Sequence, residues 1–324
     1  MDLRLTILDW AGRHRLDPAA RRRLEALAGL GVEPAALRHV LPRALAALAA
    51  ALAGLGVVFW IASQWGELGR AGRFGVLQGA LLLAAAGAWP QRAARPAAGL
   101  LLMLGTGALF AFFGQTYQTG ADAWQLFALW AALALPLALG LRSDLVWAPW
   151  VLVAVAAVSL WVQAHTGHRW RFSSADAGVQ GAGWVMLVAL TLALGPPGRR
   201  FTGAGPWALR TAATLTVAAI TAVGLGGLFA NAVGLQYALA LVALAAAAAL
   251  TATRRAFDVF VASALALGLD TLVVAGLGRL LLEGHSGGDP IGRLFLLGLV
   301  AAGLLAASVK AVLHLARRAE GEAR

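Results

Sequence analysis

Asp270 lies near the middle of a long apolar run, between Leu267, Leu269, Leu272 and Val273. A carboxylate at the centre of a bilayer costs about 2.5–3.5 kcal/mol on insertion scales, so it belongs in a packed interior or beside a watered path. Two roles fit it: a proton- or cation-coupling site, or a hydrogen-bonding group that glues helices through Ser263 or an amide. A second polar group forms around the two tyrosines of the chain. Gln115 and Gln118 flank Tyr117, Gln236 precedes Tyr237, and Asp122 and Asn231 lie close by in sequence. Amides and phenols beside tryptophans suit a polar ligand, a lipid headgroup or a glycan, and they equally suit interfacial anchoring.

Other chemistry finds little to work with. The absence of cysteine removes disulfides, thiolate nucleophiles, Cys-ligated zinc and iron–sulfur clusters together. Gly284-His285-Ser286-Gly287-Gly288 matches a serine-hydrolase spacing. That motif needs a strand-to-helix elbow, and its intramembrane counterpart needs a histidine inside a second span. Neither is offered here, so a flexible glycine-rich turn is expected. His165, His168 and Asp176 make too sparse a donor set to predict a metal, and no cofactor is expected.

The elements that must position these residues are helices in lipid. The chain has 324 residues, 60% hydrophobic and 13% charged, against about 25% charged in an ordinary soluble domain. Crossing a bilayer core of about 30 Å takes roughly 20 helical residues. Ten apolar stretches approach that length: 44–63, 74–89, 97–114, 125–141, 145–164, 181–195, 211–230, 232–252, 256–282 and 294–313. The second and sixth are the shortest and need flanking residues to cross. The first apolar run begins only at Ala44, behind a charged segment, and is long enough to stay in the membrane.

Ten spans put both termini on one side. Taking that side as cytoplasmic leaves 20 of the 26 basic residues inside and six (Arg70, Arg73, Arg169, Arg171, Arg279, Arg293) outside. That bias orients the chain with both termini cytoplasmic, and it assigns the net charge of +11 to topology rather than to nucleic acid. Trp60, Trp65, Trp89, Trp124, Trp147, Trp161 and Trp184 fall near span ends, where an aromatic belt is expected.

Residues 1–43 read as a separate cytosolic segment. Leu3, Ile7 and Trp10 share one helical face, Asp17-Pro18 caps and opens a second helix, and Glu33-Pro34 opens a third that runs into the first span. Its arginines (Arg13, Arg15, Arg21, Arg22, Arg23) either dock on anionic lipid or a protein partner, or only enforce orientation. Residues 314–324 form a short basic tail.

Gly114-Gln115-Thr116-Tyr117-Gln118, then Asp122, Leu126-Phe127, Trp130, Pro136 and Arg142-Ser143, resembles the domain-of-unknown-function 2157 family of bacterial membrane proteins. The run Gly54-Leu55-Gly56 through Ser63-Gln64-Trp65 is similar to the same family, with Gln64 where the pattern usually has Asn. The resemblance covers residues 1 to about 165. It implies an integral membrane protein with a short cytosolic N-terminal module, and it implies no activity.

The expected fold is therefore all-α: a polytopic transmembrane bundle of about ten spans over 44–313, preceded by a cytosolic helical hairpin. A non-enzymatic envelope protein is expected first. Its partners are the bilayer and a possible protein bound through residues 1–43. A secondary transporter or ion-coupled permease using Asp270 is the alternative, its small-molecule substrate unknown. A membrane enzyme comes last, for want of clustered acid–base groups.

Overall fold

The structure is a computed structural model that describes residues 3–14, 16–28, 35–63, 69–88, 94–117, 120, 122–167, 174–253, 257–283 and 290–321. Among these residues the regular structure is helical throughout, with no strand. The elements are α1 (Leu3–Arg13), α2 (Pro18–Leu27), α3 (Ala35–Ser63), α4 (Arg70–Ala88), α5 (Arg95–Tyr117), α6 (Ala123–Leu141), α7 (Asp144–His165), α8 (Ala177–Leu194), α9 (Arg199–Thr202), α10 (Pro206–Leu228), α11 (Leu235–Thr251), α12 (Val259–Leu282) and α13 (Pro290–Gly321). The chain divides into two compact units, Met1–Leu52 and Ala53–Arg324. Helix α3 runs without a break through residue 43, where composition changes.

In the first unit α1 and α2 pack on each other, and Ile7 and Ala11 are buried. Asp17 caps α2 by accepting from the Ala20 amide at 2.6 Å, with Pro18 at the first helical position. Both features follow from a short acceptor followed by a residue that has no amide hydrogen to lose.

Every expected span coincides with a helix, but their lengths differ from expectation. Among the described residues seven helices are long and apolar enough to cross a membrane: Arg95–Gly114, Ala123–Leu141, Asp144–His165, Ala177–Leu194, Pro206–Leu228, Val259–Leu282 and Ile291–Ala319. The sixth expected span starts earlier than its apolar run and reaches full length as α8. The second remains short over Ala71–Ala86, and so do Val40–Gly56 and Leu235–Thr251. In the last case, the turn before Leu235 and the cap at Ala252 trim the expected 232–252 to 17 residues. Among the described residues, length and composition thus support seven full-length spans and three shorter apolar helices at the other expected positions.

Helix α10 is the hub of the second unit. It packs on α7, α8, α11 and α12, and 44% of its apolar window is buried against 6% for α13. Two apolar cores meet along it. The first joins Met103, Ala138, Trp147 and Leu187 to Ala208 and Ala212, and the second joins Val217 and Ile220 to Ala240, Leu244 and Leu272. Small residues do much of this work, because lipid supplies no hydrophobic drive between helices and close backbone approach must substitute. Ala138, Ala208, Ala212 and Ala240 have no exposed surface. A Cβ built on Gly224 of α10 lies 2.7 Å from the Ala240 methyl.

Overpacking there has no flexible side-chain end to displace. Gly224→Ala is expected to lower stability by about 1–3 kcal/mol. Gly298→Ala, where nothing stands within 4 Å, should leave the detergent-solubilised protein as stable as the wild type. Thermal unfolding of the two variants side by side tests the assignment of α10 as hub.

Candidate functional site

Asp270 stands at the middle of α12 and is 9% exposed. Gly268 and Leu272, two residues to either side, face the helices behind. A Cβ on Gly268 lies 2.7 Å from Val217 and 3.0 Å from Thr221 Oγ1, and Leu272 closes on Gly224. A two-residue step on a helix turns the side chain to nearly the opposite side, so Asp270 faces α13. There the Ser308 hydroxyl donates to its Oδ1 at 2.9 Å. Its Oδ2 is buried with no hydrogen-bond partner among the described residues. Ser263 is instead exposed and bonds the Val259 carbonyl of its own helix at 2.8 Å. The side chain that Asp270 meets is thus a hydroxyl on the neighbouring helix, 38 residues away.

The two tyrosines lie on different helices, α5 and α11. Tyr237 donates from its phenol to the Leu272 carbonyl at 3.1 Å, and Gly276 makes room: a Cβ there would sit 2.1 Å from the phenol oxygen. Gln236 is 2% exposed and packs against Gly227 of α10. Asn231 is exposed in the turn between α10 and α11. Asp122 is exposed at the N-cap of α6, with no side-chain capping bond. The backbone of Gln115 and Tyr117 ends α5, while their side chains and Gln118 lie outside the described residues. Helix α5 packs on α4, α6 and α7, whereas α11 packs on α10 and α12.

Trp147, expected in an interfacial belt, is 1% exposed and donates its indole N–H to the Thr202 carbonyl at 3.2 Å. The glycine-rich motif at 284–288 and His168 lie outside the described residues, and His165 bonds the Trp161 carbonyl at 2.8 Å. Among the described residues no group of three or more His, Cys, Asp or Glu could hold a metal ion.

Sequence reasoning passed over the densest polar cluster. The Asp144 carboxylate accepts from the amides of Gly205 (2.7 Å), Trp207 (2.9 Å) and Ala208 (3.3 Å), closing the start of α10 from the start of α7. Arg142 adopts a left-handed conformation (φ 49°) that ends α6, a state costing a non-glycine residue roughly 1–2 kcal/mol. Its guanidinium holds it there by donating to the carbonyls of Phe201 (3.2 Å) and Arg200 (3.4 Å). Gly203 (φ 63°) lets the arginine pass, since a Cβ would lie 2.5 Å from it. At the same end Asp258 caps α12 by accepting from Phe260 and Val261, and it pairs with Arg210 at 3.1 Å. The available signal was position: an Asp directly before an apolar run is a helix-start residue.

The model of the family described as predicted membrane protein (DUF2157) matches residues 8–147, so the resemblance holds over that stretch. The match contains Arg142, Asp144 and Trp147 but not the 200–208 segment they grip. No curated protein and no solved structure matches the chain.

If Asp270 and Ser308 act as a fastener, removing one partner strands a buried carboxyl, while replacing both with apolar groups is nearly neutral. Ser308→Ala should therefore cost about 1–3 kcal/mol of stability, and Asp270→Leu combined with Ser308→Ala should recover most of it. A double-mutant cycle by thermal unfolding checks this. Additive losses would dissolve the fastener.

Proposed function

We propose that this protein is a non-enzymatic membrane protein that works by holding a protein partner at its N-terminal helical hairpin. The observation that carries the reading is what the hairpin leaves uncovered. Trp10 is 58% exposed and Leu27 87%, beside the exposed Arg13, Arg21, Arg22 and Arg23. Arg13 pairs with Asp9 at 2.7 Å and Arg21 with Glu25 at 3.0 Å. Arg22 reaches only the Pro18 carbonyl, and Arg23 has no partner among the described residues. Tryptophan and arginine are the side chains that dominate protein interfaces. A partner with an acidic rim around an apolar centre complements the surface. The arginine bias of the sequence supports a cytoplasmic hairpin, on the inner face of the bacterial cytoplasmic membrane.

Because the chain has no cysteine, Leu27→Cys introduces a unique attachment point for a photoreactive crosslinker in the full-length protein in native membranes. The expected result is a discrete protein adduct that disappears when Arg21, Arg22 and Arg23 are changed to Gln. Adducts with lipid alone, or the same protein adduct in the arginine variant, would overturn the reading.

A second reading, ion-coupled transport, is favoured by Asp270 Oδ2, a buried carboxyl oxygen left open at mid-span. Its measurement is proton influx into proteoliposomes with a trapped pH-sensitive dye under an imposed potential. Influx that Asp270→Asn abolishes is the expected outcome for transport; influx absent from the wild type, or unchanged in the variant, removes that reading.

A further inference from the structure

The arginines at the end of the second unit where α6 stops and α10 starts divide by what they touch. Arg142 is tied to two backbone carbonyls and Arg210 to Asp258. Arg199 and Arg200, on the turn between α8 and α10, are exposed, and their side chains have no hydrogen-bond or carboxylate partner among the described residues. The Arg200 guanidinium lies 4.5 Å over the ring of Phe201. Phe201 is itself 65% exposed, and Trp207, at the first turn of α10, is 62% exposed. Two arginines without a carboxylate partner and two largely exposed aromatic rings thus lie close together in the chain, Phe201 beneath Arg200 and Trp207 beneath Arg210 at 5.5 Å.

That turn is rigidly mounted. Asp144 grips the amides of Gly205, Trp207 and Ala208, and Arg142 and Trp147 take the carbonyls of Arg200, Phe201 and Thr202. Gly198 folds the chain back so closely on α8 that a Cβ would meet the Ala193 carbonyl oxygen at 2.0 Å. Binding therefore need not order the backbone, and the ordering cost that weakens flexible sites is small. The turn joins two helices of spanning length, Ala177–Leu194 and Pro206–Leu228, so it lies where the apolar core gives way to headgroups. Guanidinium groups match phosphate oxygens in planar, bidentate geometry, and aromatic rings favour this same depth.

We infer that the α8–α10 turn is a binding site for an anionic phospholipid. Arg199 and Arg200 take the headgroup phosphate, and Phe201 and Trp207 lie along the glycerol and the upper acyl chain. This site is independent of the hairpin's partner and uses none of its residues.

The test is native mass spectrometry of the delipidated full-length protein titrated with phosphatidylglycerol or phosphatidylcholine. Three variants accompany the wild type. The first is Arg199→Gln with Arg200→Gln. The second is Arg317→Gln with Arg318→Gln, which removes the same charge from exposed positions of α13. The third is Phe201→Ala with Trp207→Ala. The wild type and the α13 variant should retain phosphatidylglycerol over phosphatidylcholine. The turn arginine variant should lose that preference, its phosphatidylglycerol affinity falling on the order of tenfold. The aromatic variant should bind both lipids more weakly and keep the preference. Equal binding of the two lipids by the wild type would overturn the site. So would an equal loss in the α13 variant, which would indicate a diffuse field, or full competition by inorganic phosphate, which would indicate a bare anion site.

Discussion

The carboxylate of Asp144 holds the start of the helix on which the second unit is built. Helix α10 packs on α7, α8, α11 and α12, so its axis sets where four other helices lie. A helix N-terminus leaves its first amides without intrahelical acceptors, and its dipole favours a negative group there. Asp144 satisfies both needs at once through Gly205, Trp207 and Ala208. Because it is also the first residue of α7, it fixes the register between the two helices. Arg142 and Trp147 extend the grip along the preceding turn, so Arg142, Asp144 and Trp147 work as one clamp on residues 200–208.

The same economy governs polar groups deeper in the bundle. Trp130 donates to the Met103 carbonyl at 3.1 Å, Trp150 to Ala131 at 2.8 Å, and Tyr237 to Leu272 at 3.1 Å. Thr191 and Thr216 share a hydroxyl contact at 2.9 Å between α8 and α10. Where water is scarce, an unpaired polar atom is costly, and each of these bonds also ties one helix to another. Asp270 belongs to this set through Ser308 and departs from it through Oδ2. That open oxygen is why two readings of Asp270 rest on one geometry.

Helix α13 is the contrast to α10. It packs mainly on α12, and Ile291, Leu294, Phe295 and Leu299 are exposed along it. Lipid covers such a face at no hydrophobic cost. The Asp270–Ser308 bond therefore matters more here than it would in a helix held from several sides.

The all-helical architecture and the position of every long helix are written locally in the chain. Runs of Leu, Ala and Val of spanning length can satisfy their backbone in lipid only as helices, so composition alone locates α5 to α8, α10, α12 and α13. The caps at Asp17 and Asp258 are local too, since a capping side chain reaches only the next few amides. What joins the helices is not local. Asp270 finds Ser308 across 38 residues, Asp144 finds Gly205 across 61, and Trp147 finds Thr202 across 55. No spacing in the sequence encodes those pairs, because each depends on which helices become neighbours and how far each slides along the other. Tertiary packing alone decided that Gln236 packs on α10 and Tyr237 bonds α12, that Trp147 is buried against the α8–α10 turn, and that Arg142 and Arg210 are tied to oxygen acceptors while Arg199 and Arg200 are not.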